Sequence, residues 1–368
     1  MVLIDFNREG IGAKGVSSLR TFFITYGMFC SLFVVFNIIN ELLLRYAYVK
    51  LYGFIKQFLL WMLGSLFFLP ALQAQEEAVL SNWYVLPAYY NSAAAGSSDM
   101  LSIGAFYRQQ WIGVSGAPGY YGLSVSAPIT IAQRTHGVGI LLSGSKRGLF
   151  TSTELMGQYA FRFKLWKGIL GIGLEAGLYN LSFDGTKIEI PEGDGLSPND
   201  PGLPTQRVSG RSFDLGTGVY YVRKNFFVGL AAKHLIGSKV TFDGNFYHRL
   251  VRTYSLAAGY NIKRHDSLFS WQPSVIALTD WQVYTIDLNI QMAYNDRWFA
   301  AVSFRPVEAA GFAVGMKWGQ FRIQYGFMMP ISALARNTWG SHELMVSYSM
   351  PLMPAKDKGL RVVSVRLL

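Results

Sequence analysis

The sequence predicts an all-β protein, a transmembrane antiparallel up-and-down β-barrel of about 14 strands preceded by an N-terminal signal segment. Two observations lead to this class. Apolar and polar residues alternate strictly over many separate segments, which indicates strands with one apolar and one polar face. In addition, 51% of the residues are hydrophobic but only 15% are charged, well below the roughly 25% charged residues of ordinary soluble domains.

The clearest alternation lies at residues 283–294, which read VYTIDLNIQMAY. Its apolar face begins and ends in tyrosine, at Tyr284 and Tyr294. Ten residues at about 3.3 Å each, tilted by about 40°, span about 25 Å, the height of the lipid-facing band of an outer-membrane barrel. The two tyrosines then match the aromatic girdles of such a barrel, and the polar residues between them face the lumen.

Similar segments recur through the rest of the chain and predict fourteen strands. A soluble β-sandwich would alternate too, but its outer face would be rich in Lys, Glu and Thr, whereas the polar face here is rich in Gly, Ser and Gln. An even number of strands places both termini on the periplasmic side. The predicted strands are 100–111, 119–128, 135–143, 150–165, 168–181, 206–222, 225–234, 250–261, 271–280, 282–294, 296–305, 309–318, 320–328 and 340–350.

The connections between these strands are unequal. Most of those on the predicted periplasmic side are two residues long, whereas those on the other side include the long segments 183–205, 235–249 and 329–339. Short turns at one end and long loops at the other are typical of outer-membrane barrels. The segment 261–270 is an exception, a longer connection on the periplasmic side.

Two apolar stretches precede the barrel. The second, at residues 51–74, begins near two lysines, continues in an apolar run and ends Ala-Leu-Gln-Ala, the layout of a secretory signal peptide cleaved after Ala74. Residues 1–50 are either a membrane helix or the product of a start codon assigned too far upstream.

Three further segments complete the predicted organisation. Residues 75–99 are expected to be an irregular periplasmic segment, and residues 100–350 the outer-membrane β-barrel. The basic tail at residues 351–368 either docks a periplasmic partner or is a short disordered extension.

The composition argues against several classes of function. The formal net charge is +11, but the chain has no basic run and no basic patch interleaved with aromatics, so nucleic-acid binding is not expected. The only cysteine, Cys30, precedes the expected cleavage site, and the five histidines have no metal-ligand spacing. No catalytic constellation is present. We therefore expect neither an enzyme nor a bound cofactor or metal.

A set of polar residues recurs on the faces that the alternation turns inward. These side chains either line a transport path or pair with one another to satisfy a filled interior. The residues are Arg162, Glu175, Asp214, Asp287, Asn289, Gln291, Arg322 and Glu343.

One stretch, residues 91–129, carries a more specific pattern. It opens with Asn-x-Ala-x-Ala-Gly, continues with Tyr-Arg-Gln-Gln-Trp and a Gly-x-Pro element, and closes at Ala-Pro. In this pattern the chain resembles the PorP/SprF family of outer-membrane proteins of the type IX secretion system and gliding machinery. The matching residues are Asn91, Ala93, Gly96, Tyr107, Arg108, Gln110, Trp111 and Pro118.

The chain also departs from the family pattern. Ser92 stands where the family has proline, Ala94 stands where it has tyrosine, and the C-terminus lacks an aromatic finish. Within the matching stretch, Arg108 and Gln110 are expected to point inward and Trp111 to lie at the outer rim. A structural role and a partner-binding role for these residues are both open.

The resemblance implies a protein of the outer membrane that aids the export or surface attachment of proteins with C-terminal sorting domains, such as motility adhesins. Its implied partners are outer-membrane lipid, type IX secretion components and that cargo. Two other functions stay open. One is a FadL-like channel for hydrophobic small molecules, although that class carries an N-terminal hatch longer than residues 75–99. The other is a passive structural barrel.

Overall fold

The computed structural model describes most of the chain after residue 78. Residues 71–368 form one compact unit, and the fold below is that of this unit. The expectations for residues 1–50, the signal peptide at 51–74 and nearly all of the tail at 351–368 lie outside the described residues. The described residues are 57, 79–98, 100–188, 204–242, 246–264 and 267–352.

Antiparallel strands make up most of the described unit. Fourteen of them form a closed ring, β8 and β9 form a separate hairpin, and the two-residue β11 pairs only with β12. The strands are β1 (Met100–Gln109), β2 (Gly119–Ile131), β3 (Arg134–Arg147), β4 (Phe150–Leu165), β5 (Gly168–Asp184), β6 (Arg207–Arg223), β7 (Phe226–Lys233), β8 (Lys239–Thr241), β9 (Tyr247–Arg249), β10 (Thr253–Tyr260), β11 (Ile262–Lys263), β12 (Phe269–Thr279), β13 (Tyr284–Tyr294), β14 (Trp298–Arg305), β15 (Ala309–Trp318), β16 (Phe321–Pro330) and β17 (Ser341–Pro351).

The ring closes between its first and last strands. Each ring strand pairs antiparallel with the next one along the chain, and β1 pairs with β17 in a register that sets Arg108 opposite Glu343. With both edges of the sheet joined, every ring strand has two neighbours, which a sheet in lipid needs in order to satisfy its backbone groups. The predicted up-and-down barrel of 14 strands is confirmed.

Several strand limits differ from the predicted ones. β3 and β5 extend beyond the predicted ends at 143 and 181, to Arg147 and Asp184. β1 ends at Gln109 rather than 111, because the backbone turns at Trp111, whose φ is +49°. The predicted hairpin around Asp280 is present between β12 and β13.

The two faces of β13 show how the alternation is used. Tyr284, Ile290 and Tyr294 are 46%, 54% and 40% exposed on the outer face, whereas Asp287 and Gln291 are buried inside. The same inversion, with apolar residues outside and polar residues inside, holds around the ring. It is the arrangement of a barrel whose outer solvent is lipid. Among the described residues, no helix combines the length and the hydropathy that a membrane crossing requires.

The two ends of the barrel differ, as the sequence predicts. Connections at 132–133, 166–167, 224–225 and 319–320 have two residues each and define the short-turn end. The opposite end carries the longer connections 110–118, 234–252 and 331–340 and is called the long-loop end, although its turn at 148–149 also has two residues. The connection between β10 and β12, which contains β11, is the long exception at the short-turn end, as expected. At the long-loop end the β8–β9 hairpin folds inward, so that Val240 and Leu250 are buried against Tyr179 and Leu181 of β5.

Candidate functional site: the filled lumen

The lumen of the barrel is occupied by the chain's own residues 79–98, called the plug below. The plug contains a 3-10 turn at Trp83–Val85, a short helix α1 at Pro87–Tyr90 and a second 3-10 turn at Ser92–Ala94. All of its residues are buried except Ser97, which is half-buried. For residues 79–98 this placement differs from the expectation of a periplasmic segment at 75–99, whose residues 75–78 and 99 lie outside the described part of the chain. The physical reason is that the plug backbone bonds to buried charged side chains of the lumen wall, while the plug's aromatic side chains pack against aromatic residues of the wall.

The aromatic side chains of the plug form the apolar centre of the filled lumen. The rings of Tyr89 and Phe106 of β1 lie 5.1 Å apart edge to face, and those of Trp83 and Phe227 of β7 lie 6.3 Å apart. Tyr84 donates a hydrogen bond to Asn82 at 3.1 Å. Burial raises the pKa of Tyr84 above its usual range, so its phenol stays neutral.

Glu343 joins the start of the plug to the closing strands. Its carboxylate accepts hydrogen bonds from the backbone N–H groups of Ser81 and Asn82, at 2.7 and 3.0 Å. It also forms an ion pair with Arg108 at 3.2 Å, and both side chains are at most 3% exposed. Arg108 in turn donates to the Ser81 hydroxyl at 3.1 Å. The first strand, the last strand and the plug are therefore held by one network.

A second buried ion pair holds the very start of the plug. Arg305 of β14 pairs with Asp287 of β13 at 2.8 Å, and both side chains are at most 3% exposed. The same guanidinium donates to the carbonyl oxygen of Val79 at 2.5 Å. Asp287, predicted to face the lumen, thus fixes an arginine that binds the plug.

The second half of the plug lies against a wall of glycines. The Asn91 side chain donates to the carbonyl oxygens of Val219 and Leu230, at 3.0 and 3.2 Å, and accepts from the Ala93 N–H at 2.9 Å. A Cβ atom added at Gly173 of β5 would lie 2.1 Å from the Ala93 nitrogen. The glycines of the polar face therefore give the plug backbone room to approach.

The plug ends at a glycine that the lumen wall holds in place. Gly96 has a φ of +61°, in the left-handed region that favours glycine, and a Cβ there would meet the Ala127 oxygen at 2.6 Å. Arg162 of β4 donates to the Gly96 carbonyl oxygen. Nearby, Gln158 donates to Ala88 of the plug and to Glu175, both at 2.9 Å.

The remaining inward residues bond within the wall. Arg322 donates to Gln291 at 2.7 Å and lies 3.9 Å from the centre of the Phe299 ring, while Asn289 donates to Ser303 at 2.6 Å. The structure places all eight residues of the predicted lumen-facing set in the interior, where they contact one another, the wall or the plug. All eight are buried: Arg162, Glu175, Asp214, Asp287, Asn289, Gln291, Arg322 and Glu343.

The rest of the Tyr-Arg-Gln-Gln-Trp element lies at the end of β1 and in the loop after it. Tyr107 is 55% exposed on the outer face and donates to Gln109 at 3.0 Å. Gln110 and Trp111 follow the end of β1 and are half-buried, and the expected directions of their side chains stay predictions. Their backbone N–H groups donate to the Pro118 oxygen at 2.8 Å and to the Ser341 hydroxyl at 3.3 Å, which fixes the first loop at the long-loop end.

The structure also assembles a cluster that the sequence did not indicate. Glu154 of β4, Asp214 of β6 and His234, directly after β7, place one ligand atom each within 4.8 Å of one another. Asp214 and His234 are 20 positions apart and Glu154 lies 60 positions before Asp214, so no short ligand spacing marks them. In the sequence, only the inward positions of Glu154 and Asp214 on their strands pointed to this cluster.

Apolar residues outside, a polar lumen filled by a plug, and short turns opposite long loops together define a plugged outer-membrane β-barrel. The chain belongs to the family described as type IX secretion system membrane protein PorP/SprF, which it matches over residues 72–348. The resemblance seen in the sequence is confirmed, and the protein is a component of the outer membrane.

No curated protein matches the sequence, and the solved structures described next are distant from it. The chain is similar to the toluene transporter TbuX of Ralstonia pickettii, with 12% identity, a TM-score of 0.43, and coverage of 71% of this chain and 92% of that one. A FadL homologue of Pseudomonas aeruginosa has 10% identity and a TM-score of 0.42, with coverage of 72% of this chain and 94% of that one. Omp33 of Acinetobacter baumannii has 5% identity and a TM-score of 0.39, with coverage of 68% of this chain and 98% of that one. Similarities this low have no bearing on what this chain binds or transports.

The glycine wall can be tested by adding a single methyl group. Gly173→Ala should lower the free energy of unfolding by about 1–3 kcal/mol, the usual cost of overpacking, because the new Cβ overlaps the plug backbone. Gly157→Ala on β4 is the matched control, since its Cβ would meet nothing closer than the Ala176 oxygen at 3.8 Å. Denaturant unfolding of the detergent-solubilised barrel measures both. Equal stability of the two variants would contradict the close approach of plug and wall.

The ion pair between Arg108 and Glu343 can be tested in the same way. Glu343→Gln should lower the free energy of unfolding by about 3–5 kcal/mol, because it leaves a buried arginine without its counter-charge. Asp296→Asn is the control, since it removes an ion pair with Lys263 whose side chains are 49% and 46% exposed, worth about 0–1 kcal/mol. A loss in Glu343→Gln no greater than in the control would show that the network contributes little.

Proposed function

We propose that the protein acts in the outer membrane as a non-catalytic component of type IX secretion that aids export or surface attachment of proteins with C-terminal sorting domains, such as motility adhesins. Membership of the PorP/SprF family supports a role in type IX secretion. The filled lumen supports a mode of action in which cargo does not cross the membrane through this barrel. With residues 79–98 buried inside the ring, cargo engages the ends of the barrel and does not pass through it.

The long-loop end offers a surface suited to such engagement. Trp339, Val307 and Ile331 are 78%, 74% and 54% exposed there, and exposed apolar side chains of this kind favour protein partners. The surface is also fixed in place. The Trp339 N–H donates to the Ile112 oxygen at 2.8 Å, and Ile331 donates its N–H to Glu308 at 3.0 Å. A pre-formed surface binds without the cost of ordering its loops.

A strain lacking the gene tests the proposal directly. We expect proteins with C-terminal sorting domains to be lost from the cell surface, in whole or for a particular cargo, and to return when the wild-type gene is restored. Surface labelling of the cargo with intact cells is the measurement. If cargo still reaches the surface and stays attached while uptake of a hydrophobic solute falls, the protein is instead a channel of the FadL-like class.

The closed lumen leads to a separate expectation in a planar bilayer. The wild-type protein should not conduct ions steadily, because the plug and its buried bonds fill the cross-section of the barrel. A variant whose plug is displaced provides the comparison, and Gly173→Leu combined with Glu343→Gln is designed to weaken both of its attachments. Steady conductance by the wild type would contradict a filled lumen in the membrane.

A further inference from the structure

We propose that Glu154, Asp214 and His234 form a binding site for a divalent transition-metal cation, with Zn²⁺ as its natural class of occupant. The site would lie inside the barrel near the long-loop end, where β4 and β6 pass the first residue of the β7–β10 connection. It is independent of the proposed role in secretion.

The side chains meet at a buried point. Glu154, Asp214 and His234 are 7%, 0% and 3% exposed, and their ligand atoms all lie within 4.8 Å of one another. The His234 Nδ1 atom is 2.7 Å from Asp214 Oδ2. Two ligands bound tetrahedrally to Zn²⁺ at about 2.1 Å each lie about 3.4 Å apart, so the widest pair of ligand atoms would have to close by up to about 1.4 Å.

A second, independent observation points to a missing partner. Glu154 Oε1 and Asp214 Oδ1 are both buried and neither receives a hydrogen bond, although the other oxygen of each carboxylate does have a contact. A buried carboxylate oxygen without a partner is costly. Two of them beside an imidazole make the donor set that a divalent cation completes.

The chemistry of the donors selects the class of cation. Two carboxylates and one imidazole suit zinc and its first-row neighbours, whereas Ca²⁺ and Mg²⁺ prefer oxygen ligands alone.

Neighbouring residues hold the three ligand side chains in place. Ser143 donates to Glu154 Oε2 at 3.1 Å, and the Tyr179 ring lies edge-on to His234 at 5.8 Å between centres. Contacts of this kind orient the ligands of a metal site and raise its affinity for the metal.

A cation here would also fasten the connection between β7 and β10 to the barrel wall. His234 begins the connection that carries the β8–β9 hairpin, and Val240 and Leu250 of that connection pack on Tyr179, the residue beside His234. One ion bound to β4, β6 and this connection would join the β8–β9 hairpin to the barrel wall.

The test uses the full folded protein in detergent, freed of metal by a chelator and titrated with ZnCl₂ by calorimetry, with metal content measured by mass spectrometry. We expect one Zn²⁺ per chain. Loss of a residue that only supports a metal ligand lowers metal affinity by about 10–100-fold. Asp214→Asn and His234→Gln each remove a ligand, so each should lower the affinity for Zn²⁺ by more than that. The controls are Glu175→Gln, a buried lumen carboxylate outside the cluster, and His342→Gln, a histidine outside it; both should bind like the wild type.

Three results would overturn the proposal. They are a wild-type protein that takes up no Zn²⁺, an affinity unchanged in His234→Gln, and equal losses in the two controls. Tighter binding of CaCl₂ than of ZnCl₂ would refute the assigned class of cation. If the cluster variants fail to fold, the wild type still provides a refutation, because a cation that binds only the folded state must raise its unfolding temperature, and an unchanged temperature in ZnCl₂ would overturn the proposal.

Discussion

The rest of the structure depends on how the buried charges of the lumen are satisfied. An unpaired ionic group in such an interior costs several kcal/mol, and the plug supplies many of the partners. Its backbone N–H groups bond to Glu343, and its carbonyl oxygens bond to Arg305 and Arg162. The ion pairs Arg108–Glu343 and Arg305–Asp287 form within the wall, and the plug backbone adds further hydrogen bonds to both of them.

Two different surfaces of the wall receive the two halves of the plug. The first half meets long charged side chains, with Glu343 contacting Asn82 and Arg305 contacting Val79. The second half meets backbone, because glycines such as Gly173 bring the strands close to Ala93. Bonds to charged side chains hold the first half of the plug in register. Close packing against glycine backbone holds the second half. The Asn-x-Ala-x-Ala-Gly element belongs to this second contact, which explains its small residues.

Most of the barrel could be predicted from the sequence because lipid imposes a rule on every residue of a strand. Alternation along β13 placed Asp287 and Gln291 inside, and it did so from local information alone. The plug could not be found in this way, since it is irregular and its contacts join residues more than 200 positions apart, as between Ser81 and Glu343. The cluster around His234 escaped for the same reason: its members share a place in the ring but no spacing in the chain.

The position of one ion pair has a consequence for how the protein is made. Arg108 lies on the first strand of the ring and Glu343 on the last, so their bond forms only when the two ends of the sheet meet. Closing so large a loop of chain carries a high entropic cost. Glu343 also accepts hydrogen bonds from the backbone of Ser81 and Asn82, so one buried carboxylate serves both the closing seam and the plug. A ring closed around an empty lumen would bury this glutamate with fewer partners, and its seam would be less stable.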